Sequence, residues 1–114
     1  MSERNTVVYI SSETMGRGDD QLGAKLLGVF LDTLSQFKEK VSHAIFVNAG
    51  VRLVTEGSPV LNQLRQLEQV DVQLLACGTC LNHFDLKEKV AVGSISNMYA
   101  IIETLSNAER IIHP

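Results

Sequence analysis

The chain has 114 residues and a formal net charge of −3, with 45% apolar and 20% charged residues. This composition is typical of globular domains and argues against disorder, while the acidic balance argues against a nucleic-acid-binding surface. No segment approaches the ~18 apolar residues of a membrane span, and residues 1–5 lack the apolar stretch of a signal peptide. We therefore expect one cytoplasmic domain, residues 1–114, without contact to a membrane.

Apolar runs in the first third of the chain predict a strand followed by a helix. Thr6–Ile10 is β-branched and aromatic without polar alternation, which indicates a strand buried on both faces. A polar loop, residues 13–18, follows, and Asp19 is suited to cap a helix. Apolar positions between Leu22 and Leu34 fall on one face of that helix, which we expect to end near Phe37.

The same alternation continues to the end of the chain. Further strands are predicted at Ala44–Val47, Val72–Ala76, Val90–Val92 and Arg110–Ile112. Helices are predicted to open at Ser58-Pro59, after Cys77 and after a Ser96 cap, and the apolar segment 49–57 is expected to form a helical turn. Alternating strands and helices predict an α/β domain with a parallel sheet between two helical layers. In such sheets the loops after the carboxyl ends of the strands build the functional site, and here they are residues 13–18, 48–57, 77–80 and 93–97.

Cys77 and Cys80 form a Cys-x-x-Cys pair where a buried strand runs into a helix. In a reducing compartment such a pair favours catalytic, redox or metal-binding roles over a structural disulfide. Because Gly78 and Thr79 open the helix, we expect free backbone N–H groups to favour a Cys77 thiolate, which can hold sulfur or selenium as a persulfide or selenosulfide. Cys80 could resolve that persulfide or form a disulfide. The alternative is that Cys77 is an inert core thiol.

Other chemistries fit these residues poorly, and we predict neither a metal nor a cofactor. Thioredoxin-like proteins place Pro inside the motif and need a cis-Pro opposite it, but this chain has two prolines, at 59 and 114. A structural zinc site would need two further ligands, and of the three histidines His83 alone is near in sequence, where it could tune the thiols. The 13–20 loop lacks the phosphate-loop pattern and is expected to be a tight turn, in which Arg17 could stabilise an anionic persulfide.

Several ordered segments together resemble a known family. They are Val7–Gly23 (VVYISSETMGRGDDQLG), Glu56–Leu61 (EGSPVL), Cys77–Leu81 (CGTCL) and Val92–Tyr99 (VGSISNMY). Over nearly the whole chain, these stretches resemble the C-terminal domain of the YedF family, which is described as sulfurtransferase-like and associated with selenium metabolism. That domain is similar to the DsrE/DsrF group of sulfur-relay proteins.

The resemblance implies a three-layer α/β/α sandwich with a five-stranded parallel sheet, and homo-oligomers such as trimers or hexamers. It also implies that Cys77 is the persulfide-carrying residue, with a desulfurase or a TusA-like carrier among the donor and acceptor proteins. The chain departs from the family pattern in two ways. A TusA-like N-terminal domain is not present in it, and Asp85 stands where a Gly is expected, although Asp tolerates the left-handed backbone conformation. The predicted catalytic residues are Cys77 and Cys80, and the predicted site rim is Arg17, Gly78, Thr79, His83 and Asn97.

The function predicted from these observations is a cysteine-based sulfur or selenium carrier. One alternative is a regulatory or scaffolding oligomer in which the cysteine pair is a redox switch without transfer activity. Another is a domain that binds a small anion at the loop edge, with a structural cysteine whose thiol pKa is ordinary.

Overall fold

Five parallel strands form one sheet in the order β4-β3-β2-β1-β5. The computed structural model describes residues 4–114. Residues 1–3, part of the 1–5 segment in which the sequence predicts no signal peptide, lie outside the described residues. The strands are β1 (Thr6–Ile10), β2 (Val41–Phe46), β3 (Gln73–Cys77), β4 (Ser94–Ser96) and β5 (Arg110–Ile112). The helices are α1 (Asp20–Leu34), α2 (Leu61–Gln69), α3 (Gly78–His83) and α4 (Met98–Ser106), with 3-10 turns at Ser35–Phe37, Asn48–Val54 and Lys87–Lys89.

The order of the strands places helices on both faces of the sheet. From β1 to β4 each strand lies beside its predecessor, and α1, α2 and α3 make these crossovers in one direction. The chain then returns across the sheet through α4 to β5 at the other edge. Because such crossovers are right-handed, the reversed direction puts α4 on the opposite face. The predicted α/β/α sandwich with a five-stranded parallel sheet is confirmed.

Buried apolar side chains fill the space between the sheet and its helices. The central strands β1 and β2 contribute Val8, Ala44, Ile45 and Phe46, none of which is accessible to solvent. Leu27 and Leu31 of α1 pack into the same cluster. These strands have helices on both sides, which is why Val7–Ile10 and Ala44–Phe46 lack the polar alternation of a half-exposed strand. Among residues 4–114, no helix is long and apolar enough to cross a membrane.

The prediction of a fourth strand at Val90–Val92 is wrong, because the strand that pairs with β3 is Ser94–Ser96. The N–H groups of Ala91 and Val92 instead donate to the carbonyl oxygen of Val54, at 2.8 and 3.3 Å. These residues therefore hydrogen-bond to the 48–54 turn and do not pair with a strand of the sheet. The strand β4 is exposed at the sheet edge, so it lacks the apolar run that marks a buried strand.

Two predicted helix starts also differ from the structure. Asn97 and not Ser96 caps α4, because its side-chain oxygen accepts the N–H of Ala100 at 2.8 Å. The second helix begins at Leu61, after a turn in which the Ser58 hydroxyl accepts the N–H of Val60 at 3.2 Å. The Asp19 cap of α1 is confirmed, since its carboxylate accepts the N–H of Leu22 at 2.8 Å.

Candidate functional site

The loops after the carboxyl ends of β1, β2 and β3 lie side by side, each in contact with the next, and the third also contacts β4. The Arg52 guanidinium forms a salt bridge of 3.3 Å with Glu13, which joins the first loop to the second. The second loop contacts the third through the N–H of Asn48, which donates to the Cys80 sulfur. The third loop packs tightly against β4, since a Cβ added to Gly78 would lie 3.1 Å from the Ser96 carbonyl oxygen. The predicted convergence of these loops on one edge is confirmed.

Cys77 is the last residue of β3 and the residue just before α3. Its side chain is 2% exposed and belongs to the main apolar cluster. Cys80 lies one turn further, on α3, and is only partly buried. Both cysteines are reduced. The two sulfurs of the motif therefore differ in access, with Cys80 nearer to solvent.

The thiol of Cys80 accepts a hydrogen bond from the backbone N–H of Asn48, with 3.1 Å between nitrogen and sulfur. Burial raises the pKa of Cys80, the neighbouring Cys77 thiol raises it further, and the Asn48 N–H opposes both by favouring the thiolate. The sequence predicted backbone N–H donors at Cys77. Within residues 4–114, the thiol that accepts a hydrogen bond from a backbone N–H is instead Cys80. The reason is that Cys77 packs into the core, whereas Cys80 faces the 48–54 turn.

A cleft of about 420 Å³ lies between Phe84, which follows α3, and Arg52 of the 48–54 turn. Cys80 and Phe84 are four residues apart, which places them on one face of this short helix. The Arg52 guanidinium carbon lies 4.4 Å from the centre of the Phe84 ring, in a cation–π contact. The salt bridge with Glu13 holds the same guanidinium from the other side. Sequence reasoning missed Phe84, although its four-residue spacing from Cys80 was a usable signal.

The predicted rim residues have different surroundings. Thr79 is exposed on the first turn of α3. The imidazole of His83 packs edge-on against Phe84, with 5.1 Å between ring centres. Arg17 is exposed in the first loop, with no ion pair to any residue from 4 to 114, between two glycines of positive φ. Asn97 uses its side chain as the α4 cap described above. Gly78 provides the close approach of α3 to β4, and no group of three potential metal ligands lies together in the described part of the chain.

A second cavity, of about 420 Å³ and largely apolar, lies at the other end of the sheet. It adjoins Thr6 and Val41, the first residues of β1 and β2, together with Phe30 and Phe37. It contains neither a thiol nor a carboxylate. The two thiols lie at the carboxyl edge, and the candidate site is therefore placed there.

Comparison with known proteins identifies the family of this chain. A model of the DsrE/DsrF-like family matches residues 10–114. The chain belongs to the DsrE/DsrF-like family. This confirms the resemblance to the DsrE/DsrF group, while the assignment to the YedF family and to selenium metabolism stays a prediction. No match was found among the curated proteins.

Solved structures from three organisms have the same fold. The YchN protein from E. coli is 13% identical with a TM-score of 0.73, covering 97% of this chain and 99% of its own. MTH1491 from Methanobacterium thermoautotrophicum, a protein of unknown function, is 19% identical with a TM-score of 0.72 and the same coverage. BT1422 from Bacteroides thetaiotaomicron, also of unknown function, is 17% identical with a TM-score of 0.70, covering 100% and 98% of the two chains. At these identities the likeness shows that this DsrE/DsrF-like chain shares their fold.

Proposed function

We propose that this protein is a cytoplasmic sulfur or selenium carrier in which Cys77 holds the transferred atom as a persulfide or selenosulfide. The observation that supports this most directly is the pair of free thiols, three residues apart, at the carboxyl edge of the sheet in a DsrE/DsrF-like chain. A desulfurase or a TusA-like carrier is the proposed donor. The resemblance to the YedF family favours a place in selenium metabolism.

The environment of Cys77 suits a carrier. A persulfide is readily attacked by thiols and oxidants, and its lifetime depends on how well those reagents reach it. With 2% of its surface exposed, Cys77 would shield a bound sulfur atom among apolar side chains. Transfer needs no metal and no net oxidation, because the atom passes from one thiol to another with its oxidation state unchanged.

The second candidate function is a redox switch within an oligomeric scaffold. The observation that favours it is the spacing of the two free thiols, because Cys77 ends β3 and Cys80 lies three residues later on α3. A disulfide between them would form without a large movement of the backbone if their Cβ atoms approach to about 3.5–4.5 Å. A switch of this kind would be oxidised readily and would keep no persulfide.

Intact-protein mass spectrometry distinguishes the two functions. We expect wild-type protein incubated with a cysteine desulfurase and cysteine to gain the mass of one sulfur atom, and to lose it on reduction with dithiothreitol. The double variant Cys77→Ser/Cys80→Ser should gain nothing, because serine forms no persulfide. A wild-type protein that gains no mass, or that only loses two hydrogens on oxidation, would exclude the carrier and favour the switch.

The proposed carrier is a homo-oligomer, as the trimers or hexamers implied by the resemblance suggest. The outer face of α4 supports this, since Met98 and Ile102 are four residues apart and both are more than half exposed. Tyr99 beside them is 78% exposed. Adjacent exposed apolar side chains on one helix are typical of protein interfaces.

Light scattering coupled to gel filtration tests the assembly. We expect wild-type protein to elute with three or six times the 12.5 kDa mass of the chain. Ile102→Glu should yield smaller species, because burying a carboxylate without a partner in the interface would weaken association by about 3 kcal/mol or more. Glu103→Gln on the same helix should leave the mass unchanged. A monomeric wild type would contradict the proposal.

A further inference from the structure

The two thiols of the motif differ in how a donor can reach them. Attack on a persulfide requires the sulfur of the incoming donor to meet the accepting sulfur directly. Cys77 is 2% exposed and sits in the apolar cluster, whereas Cys80 is only partly buried. A protein donor therefore meets Cys80 first. For the same donor to reach Cys77 directly, the end of β3 would have to open.

The contact that would stabilise a sulfur anion also lies at Cys80. The Asn48 N–H points at its sulfur from 3.1 Å. Asn48 holds a φ of 51°, in the left-handed region that Asn tolerates better than most residues. Two residues later, Gly50 packs so closely on β1 that an added Cβ would lie 2.4 Å from the Ile10 carbonyl oxygen. The N–H is thus held in place by a segment with little freedom to shift.

The surface beside Cys80 has the features of a docking rim. One helical turn along α3, Phe84 lies under the Arg52 guanidinium, and Glu13 completes the group. Arg52 and Glu13 are both about half exposed, at 48% and 45% of their side chains. Aromatic and arginine side chains are enriched where proteins bind one another. This group therefore favours the approach of a protein donor on the Cys80 side.

We propose that Cys80 is the entry thiol, which takes the chalcogen atom from the donor and passes it to Cys77. This inference rests on the carrier function proposed above and adds a direction to it. The cargo moves from a partly exposed sulfur to a buried one within the same chain. The Asn48 N–H assists by stabilising the negative charge on the Cys80 sulfur.

Both steps balance without an oxidant. In the first step the Cys80 thiolate attacks the outer sulfur of a donor persulfide, a new S–S bond forms, and the donor thiolate leaves with the electron pair of the broken bond. In the second step the Cys77 sulfur attacks the outer sulfur of the Cys80 persulfide. Cys77 becomes the persulfide, the Cys80 thiolate leaves with the electron pair of the broken bond, and the proton released by Cys77 is taken up by the Cys80 thiolate.

A time course of persulfide formation tests the direction. Wild type, Cys80→Ser, Cys77→Ser and the control Asn82→Ala, an exposed residue of α3, are each mixed with a persulfide-charged desulfurase. Loading is followed by intact mass and located by peptide mapping. We expect Cys80→Ser to load at least about tenfold more slowly than wild type, because its remaining thiol is inaccessible. Cys77→Ser and Asn82→Ala should load at the wild-type rate, with the atom of Cys77→Ser on Cys80.

The outcomes separate this inference from the carrier function. If Cys80→Ser loads Cys77 as fast as wild type, the carrier stands and the entry role of Cys80 falls. If wild type gains no sulfur, the carrier function itself falls. If wild type releases free sulfide and ends as a Cys77–Cys80 disulfide, Cys77 attacks the inner sulfur, and the relay is replaced by reductive release.

Alkylation provides a second measurement that needs no variant. Limited treatment of the reduced wild-type protein with iodoacetamide should modify Cys80 before Cys77, since rates of thiol modification follow access as well as thiolate fraction. The pH at which Cys80 reacts at half its maximal rate should lie above that of an ordinary thiol, because burial raises its pKa. Equal modification of both cysteines would overturn the proposed order.

Discussion

Gly50→Ala is expected to destabilise the protein by roughly 2–4 kcal/mol, among the largest effects of any single methyl group in this fold. The added Cβ would lie 2.4 Å from the carbonyl oxygen of Ile10 and 3.0 Å from its carbonyl carbon. Both are backbone atoms at the end of β1, so no side-chain rotation can relieve the contact. The 48–54 turn must therefore move away from the strand.

The matched control is Gly28→Ala, the same substitution in the middle of α1. Its Cβ would have Val60 Cγ1 as the nearest atom, at an ordinary 3.9 Å. We expect this variant to be more stable than wild type by about 0.5–1 kcal/mol, because alanine favours the helix and restricts the unfolded chain. Urea denaturation measures both free energies of unfolding. A Gly50→Ala protein as stable as Gly28→Ala would contradict the close approach seen at Ile10.

Gly50→Ala should also affect the thiols. Because the same turn carries Asn48, its displacement would withdraw the N–H from the Cys80 sulfur. Loss of that donor removes a contact that lowers the pKa of Cys80. The variant is therefore expected to alkylate at Cys80 with a midpoint at higher pH than wild type, whereas Gly28→Ala should keep the wild-type profile.

Leu81→Ala is expected to cost about 2–5 kcal/mol, the range for truncating a fully buried leucine. Leu81 has no solvent-accessible surface and is the buried residue through which α3 joins the core. Its loss leaves a cavity directly under the helix that carries Cys80. We expect cooperative unfolding at lower urea concentration together with faster alkylation of Cys77, since the end of β3 would open more often.

Leu22→Ala on α1 is the control for this substitution. Its side chain is more than half exposed, so its truncation should change the free energy of unfolding by less than about 1 kcal/mol. Urea unfolding and alkylation with iodoacetamide measure the two effects on the same samples. If Leu81→Ala and Leu22→Ala have equal stabilities, α3 is not anchored through Leu81.

Sequence by itself determined the strand and helix alternation, and with it the sheet edge where the site lies. The strands β1, β2 and β3 are covered on both faces, so each is marked by an apolar run that periodicity detects. Parallel topology then requires the loops after those strands to meet at one edge. The strand β4 escaped prediction, because its exposed residues at the sheet edge form no apolar run, whereas the nearby segment Val90–Val92 does.

Tertiary structure alone decided how the burial and hydrogen bonding of Cys77 differ from those of Cys80. The N–H that reaches Cys80 comes from Asn48, 32 residues earlier in the chain, and the cation over Phe84 comes from Arg52 on the same turn. Spacing within a motif cannot reveal such contacts, because they depend on how separate loops pack. The burial of Cys77 likewise depends on the helices that cover the end of β3 and not on the residues next to it in the sequence.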